Sequence, residues 1–388
     1  MLDFLRPAIL TGPNRAHGDG ITDDTSALQS ALDTRKSVYL DEDRTYKITG
    51  PLFFRRPGQQ FGSATAQGCT LACYGSSNIL NTQGMHGVRM KGFRLVGKQA
   101  DGTPNHTGGF GIYVGTDGSS MARSPMQTGA VDISDLIFDG MNGGINITDV
   151  NGINITDIQM AAMRDVGFSL QALDSNHRID NVRIQSVIYS PTAEARDVGL
   201  GIGLLLDGEV HGCVLDYFAT VRASYGIKVV NTNAADTRAR PAFLFGSHVG
   251  CDYPKFEGIY VEDIDRCRLQ DVYCHGSETS HGMSFGRKVR DVKIIGANVS
   301  GHYCSAISFD GDILDLHAVE TDWCSQTGPN AFAAVQLGRN AKNVRIVGGG
   351  NSAGIGNAAF GIFRSNPATE VELAAAGQWR GTYGSKNW

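Results

Sequence analysis

Apolar and polar residues alternate along most of this chain in short bursts, each followed by Gly, Asn or Asp. Val131-Asp132-Ile133, Ile153-Asn154-Ile155, Val182-Arg183-Ile184, Cys267-Arg268-Leu269, Val292-Lys293-Ile294, Leu314-Asp315-Leu316, Val344-Arg345-Ile346 and Val371-Glu372-Leu373 share one phrase, apolar at i and i+2 with a polar residue between. Successive side chains of a strand point to opposite faces, so a period of two marks strands buried on one side. A second phrase recurs between these copies and opens with Gly and an apolar residue: Gly143-Gly144-Ile145, Gly203-Leu204-Leu205, Gly226-Ile227-Lys228, Gly258-Ile259-Tyr260 and Gly282-Met283-Ser284. Copies return about every 22 to 30 residues, a solenoid period. So short a unit cannot bury its apolar face alone. Stacked at about 4.8 Å per coil, each column meets its neighbour and one continuous core forms. The pattern predicts an all-β parallel β-helix. A β-sandwich of short strands, the competing arrangement, has no need of the same phrase so many times.

The chain opens differently. In His17-Gly18-Asp19-Gly20-Ile21-Thr22-Asp23-Asp24-Thr25, Asp23, Asp24 and Thr25 are good helix starters, and Ala27, Leu28, Ala31 and Leu32 then make one apolar stripe. This predicts a short amphipathic helix that caps one end of the stack and shields its unpaired edge. Val38-Tyr39-Leu40 and Tyr46-Lys47-Ile48 read as strands. The expected organisation is an extension over 1–16, a capping segment over 17–50 and the β-helix over 51–388. Stretches near 97–130 and 231–256 break the period and are expected to be long loop insertions, which on a rigid scaffold often carry function.

Composition narrows the function classes. The chain has 388 residues, 50 Gly against 11 Pro, 19% charged residues and a net charge of −5. A mildly acidic chain without clustered Lys and Arg is a poor nucleic-acid binder. No stretch approaches the 18 or so apolar residues of a membrane span. The eight Cys form no CxxC pair and are expected to be buried free thiols made in a reducing cytoplasm. No basic-then-apolar leader is visible at Met1–Pro7.

The Gly18–Thr25 motif, the Ala/Leu helix with Gln29 and Ala31, and Val38-Tyr39-Leu40 closely resemble the opening of pectate-lyase-like right-handed β-helices. The likeness is greatest to the group that includes bacteriophage tailspikes and polysaccharide depolymerases. In that family the segment is structural and leaves the chemistry open. The resemblance implies a homotrimer on a phage tail, reaching the virion without a signal peptide and cutting a bacterial capsule, exopolysaccharide or O-antigen. Fewer than 20 residues precede the motif, so attachment would pass through other tail proteins or a trimmed-off domain. A secreted bacterial enzyme is the alternative setting. Faithful polygalacturonase motifs and calcium-binding Gly-Gly-x-Gly-x-Asp repeats do not occur.

Cleaving a glycan by hydrolysis needs two carboxyl groups, while elimination from a uronic acid needs a base and a cation or Arg at the sugar carboxylate. Aligned second phrases place Glu262 two coils from Asp310, about 9.6 Å by the rung spacing, with Arg287 on the coil between and Asp312 nearby. An acid/base pair of Glu262 and Asp310, with Arg287 holding an anionic sugar, is one reading. A ladder of exposed ion pairs is the other. A second column holds His275, Ser300 and Asp322 beside Tyr273, Asn298 and Glu320. His248 and Asp252 are expected to reach over a groove, and Tyr260 to stack on a sugar. Asp135, Asp157 and Asp180 read as turn residues. No metal or cofactor is expected. Hydrolysis is favoured, with a lyase and a non-catalytic glycan-binding tail protein or adhesin as alternatives.

Overall fold

The computed structural model describes residues 15–65, 67–115, 129–172, 178–232, 240–324, 332–350, 361–374, 379 and 384–385. Every strand pairing among them is parallel, and the chain winds into a β-helix of about 12 turns. Each coil has three faces. The first face holds the Gly-initiated phrases. Its inward residues Ile145, Phe168, Leu204, Ile227, Ile259, Met283, Ile307, Val335 and Ile362 stack in register, all buried. This column is the continuous core that the alternation requires, and no single coil supplies it alone.

The second and third faces are carried by the same long strands in mid-solenoid: Gly129–Asp139, Val150–Met163, Ile179–Pro191, Val210–Val221 and Phe243–Asp252. Each turns from the second face to the third at a left-handed residue, respectively Asp135, Asp157, Ser186, Tyr217 and His248, with φ between 51° and 56°. In a left-handed backbone one residue reverses the side-chain alternation, so a whole corner is turned without a loop. Asp and His tolerate this conformation better than a bulky Tyr does.

The helix Thr25–Thr34 buries Ala27, Leu28, Ala31 and Leu32. Asp24 precedes it but makes no side-chain cap; its carboxylate accepts from the backbone N–H groups of His17 and Gly18. A second helix absent from the sequence reading, Ala193–Asp197, is capped by the Thr192 hydroxyl, which accepts from Ala195 N.

Two sequence expectations need correction. Neither period-breaking stretch is loop throughout. Asn105–Val114 and Phe243–Asp252 are strands of the solenoid, in register with Met141–Ile147 and Val210–Val221. Gly108, Gly109 and Gly111 in the first, and Gly246 and Gly250 in the second, hid the alternation. Residues 116–128 and 233–239, including Arg238, lie outside the described residues. Asp180 is not a turn residue: it sits in the strand Ile179–Pro191, where Arg178 donates to it at 2.9 Å.

All eight Cys are free, and all but the half-buried Cys304 are buried. Burial pushes the Cys213 and Cys267 thiols up to about 12, which leaves them unreactive. Among the described residues no helix is long and apolar enough to cross a membrane.

Candidate functional site

The candidate residues read from the sequence fall at three different corners of the coil. Tyr260 lies on the first face, its ring 5.9 Å from Tyr225, which stacks on Phe256 at 5.2 Å. Burial raises the hydroxyl pKa of both tyrosines. Glu262 follows at the end of this strand and is exposed. The register Val261–Phe285–Phe309 puts Glu262 and Asp310 in one column with Gly286 between them. The register then shifts, so that Asp263 faces Lys288 and the exposed Arg287 falls in the irregularity. Asp310 is engaged: the backbone N–H and side-chain amide of Asn340 each donate to it at 2.8 Å, closing the next turn. Asp312 pairs with Lys342 at 2.6 Å.

At the far edge of the third face, Asp252, His275 and Ser300 stand in register, with His275 Nδ1 3.1 Å from Ser300 Oγ. Asp322 lies one coil further, where its backbone carbonyl accepts from Gly301 N at 2.9 Å, and it is buried. His248 sits at the corner between the second and third faces. The fold therefore brings Asp252 to His275, and Glu262 and Asp310 to one column, but keeps these two groups on separate edges.

The corner of His248 borders a cleft of about 550 Å³ lined by Asp135, Asp157, Gln159, Ser186, Tyr217 and His248 among others. Its long axis follows the solenoid, because five of these residues are the left-handed corners of five successive coils, spanning about 19 Å at the rung spacing. Asp135 and Asp157 are stacked directly: Ser134 faces Thr156 and Leu136 faces Ile158. Their coils are thus one rung apart, about 4.8 Å. Lys91 Nζ lies 3.1 Å from Asp135, while Asp157 is exposed. The lining contains no Lys or Arg.

Tyr217 and His248 stack with ring centroids 4.3 Å apart and planes 2° from parallel. Asp216 lies beneath them, accepting from Ser247 Oγ at 2.8 Å and sitting 3.1 Å from His248 Nδ1. The hydrogen bond from Ser247 and then that from His248 hold the Asp216 carboxyl below its ordinary range, so it is ionised and fixes the imidazole orientation. With Nδ1 committed to Asp216, Nε2 is the nitrogen left for a ligand.

Sequence reasoning singles out His248, reads Asp135 and Asp157 as turn residues, and does not single out Asp216 or Tyr217, which line or support this cleft. The available signal was positional: a polar or aromatic residue directly after each alternating phrase, as in Ser134-Asp135 and Asp216-Tyr217. Among the described residues no group of three His, Cys, Asp or Glu is arranged to hold a metal ion.

No protein-family model matches the sequence, and no curated protein matches it. Similar solved structures include the A-module of the Azotobacter vinelandii mannuronan C-5 epimerase AlgE4, at TM-score 0.53 and 14% identity, covering 96% of both chains. The pre-mature gene product 12 of bacteriophage phi29 is also similar, at TM-score 0.57 and 12% identity, covering 92% of this chain and 50% of that one. At such identities the shared feature is the fold, and this chain has the parallel β-helix that these proteins have.

Proposed function

We propose that this protein binds a polysaccharide along the corner groove and hydrolyses it there with Asp135 and Asp157. The observation that carries this reading is the stacked pair of carboxylates inside this cleft, beside an exposed Tyr217 and a fixed His248. Carboxylates borne on backbones one rung apart can take up the roughly 5–5.5 Å separation of retaining glycosidases, which is the outcome assigned here rather than inversion. Asp135, paired to Lys91, is assigned the nucleophile's role at the anomeric carbon. Asp157 gives its proton to the departing glycosidic oxygen and then takes one from the water that frees the sugar. Elimination, the alternative, needs a positive group at a uronate carboxylate; the cation at this pair, Lys91, is engaged by Asp135, and the lining itself carries no Lys or Arg. The carboxylates Glu262, Asp310, Asp312 and Asp322 are secondary candidates in this reading, since Asp310 and Asp312 already serve Asn340 and Lys342.

A mannuronan epimerase and a phage protein share the fold, which agrees with a polysaccharide-directed protein in a phage setting. The reading extends to a homotrimer on a virion tail that degrades a bacterial capsule, exopolysaccharide or O-antigen. The test is to incubate the protein with a panel of such polysaccharides and follow the anomeric form of the first product by NMR. Retention that disappears in Asp135→Asn and Asp157→Asn supports the assignment. Inversion, or full turnover by both variants, removes the pair from the site.

A further inference from the structure

The groove continues beyond His248. Its floor residues Gln159, Ile188, Ala219 and Gly250 form one in-register column of the third face, and the same column runs on through Tyr273, Asn298 and Glu320. Beside it lies the corner where the third face turns toward the first. Backbone hydrogen bonds from Arg222 N to Asp252 O, Tyr253 N to His275 O, Gly276 N to Ser300 O and Gly301 N to Asp322 O repeat this corner coil after coil. Arg222, Tyr253, Gly276, Gly301 and Trp323 therefore occupy equivalent positions, all with left-handed backbone (φ 52°, 49°, 74°, 74° and 54°).

Glycine fits such a corner without strain and holds two of these rungs. A bulky side chain there is strained, and core burial does not offset the strain. Trp323 is 60% exposed, Tyr253 47%, and Tyr273 on the adjoining strand 46%. The Tyr253, Tyr273 and His275 rings are nonetheless packed against neighbours. A Cβ on Gly276 would lie 2.7 Å from the Tyr253 ring, and one on Gly301 would lie 2.8 Å from the His275 ring. Tyr253 meets His275 edge-on at 5.3 Å, and Tyr273 stacks near His275 at 6.0 Å. Exposed Asn298 and Glu320 flank the rings.

We propose that Tyr253, Tyr273, His275 and Trp323 form a carbohydrate-binding platform for an uncharged chain of pyranose rings, continuous with the groove. The proposal rests on the groove reading. A pyranose has an apolar C–H face that lies on an aromatic ring and a rim of hydroxyls that bonds to Asn, Glu and His. The outward column from Ile137 through Gln159 to Glu320 carries no Lys or Arg; its nearest cation is the half-buried Arg94, one rung before Ile137 at the end away from the rings, so an anionic polymer finds no partner beside the platform. Among the five described corner residues Arg222 is the one cation.

The test uses immobilised microbial polysaccharides, both uncharged and anionic, probed with the full chain and its variants. Tyr253→Asn with Trp323→Asn removes both corner rings, and Asn tolerates the left-handed backbone. Tyr273→Ser, on a regular strand, decides the matter if the double variant melts early. The expected result is binding to uncharged glycans that falls about tenfold or more in the ring variants, as for anchor residues of an interface. Ring variants that bind like the unaltered protein, while Tyr217→Asn loses binding, overturn the platform and leave the groove standing. Loss in the ring variants with none in Tyr217→Asn keeps the platform and overturns the groove. Binding confined to anionic glycans, or to none, overturns the proposal.

Discussion

Lowering the pH from neutral to near 5 should destabilise this β-helix through two histidines, His302 fully buried and His281 half-buried. His302 is fully buried; its Nδ1 accepts from Ser277 N at 3.1 Å and its Nε2 donates to the Cys274 carbonyl at 3.0 Å. Protonation would set an Nδ1–H against the Ser277 N–H in a dry site. Burial accordingly lowers its pKa from 6.5 to about 3. His281, whose Nδ1 accepts from Ser305 N, is lowered by burial to about 4. Both are neutral when folded, whereas the unfolded chain takes up their protons as the pH falls through 6.5. Stability is thus complete above that value and declines below it, by about 1.4 kcal/mol per histidine per pH unit. From pH 7 to 5 the loss is about 2 kcal/mol each and about 4 kcal/mol together. Glu257 works the other way, because burial raises its pKa and the folded form takes up the proton first, offsetting part of the loss toward the acid end. Urea unfolding near pH 7 and near pH 5 reads the difference. His302→Gln, which offers an acceptor and a donor but does not titrate, should lose about half as much. Equal stability at the two pH values, or an unchanged loss in His302→Gln, would refute the reasoning.

Other outcomes follow from single contacts. Phe168→Ala empties a fully buried position of the first-face column and should cost about 3–5 kcal/mol in urea unfolding. Gly208 has φ 81° and a Cβ there would sit 2.0 Å from the Ala172 carbonyl oxygen, so Gly208→Ala should lower the unfolding midpoint, by about 1–3 kcal/mol or more. Asp310→Asn gives up charged acceptance from Asn340 and should cost about 1 kcal/mol while cleavage continues. Loss of cleavage in that variant would instead move the reaction to the Glu262–Asp310 column.

The repeating scaffold was legible because its signal is local: Val131-Asp132-Ile133 and its copies bury alternate residues wherever they occur. The register was legible too, since Val261, Phe285 and Phe309 do stack as their phrases align. The third face was not. One left-handed residue, such as Asp157 or Tyr217, turns a corner inside what reads as a single strand, so two faces look like one. For the same reason His248 was read in a loop although it stands in the strand Phe243–Asp252. The site suffered most. Asp135 and Asp157 carry turn chemistry in sequence, and only the stacking of coils makes them neighbours in a groove. Conversely, Asp310 has the sequence features of a catalytic carboxylate, yet contact with Asn340, 30 residues later, occupies both of its oxygens.

The most direct test of the central claim is digestion of the polysaccharide panel in water enriched in heavy oxygen, with fragment masses read by mass spectrometry. Hydrolysis in the groove predicts fragments that gain one water and carry the heavy oxygen at the new reducing end, with none formed by Asp157→Asn. Fragments one water lighter and without the label would contradict it, as would labelled fragments in undiminished yield from the variant.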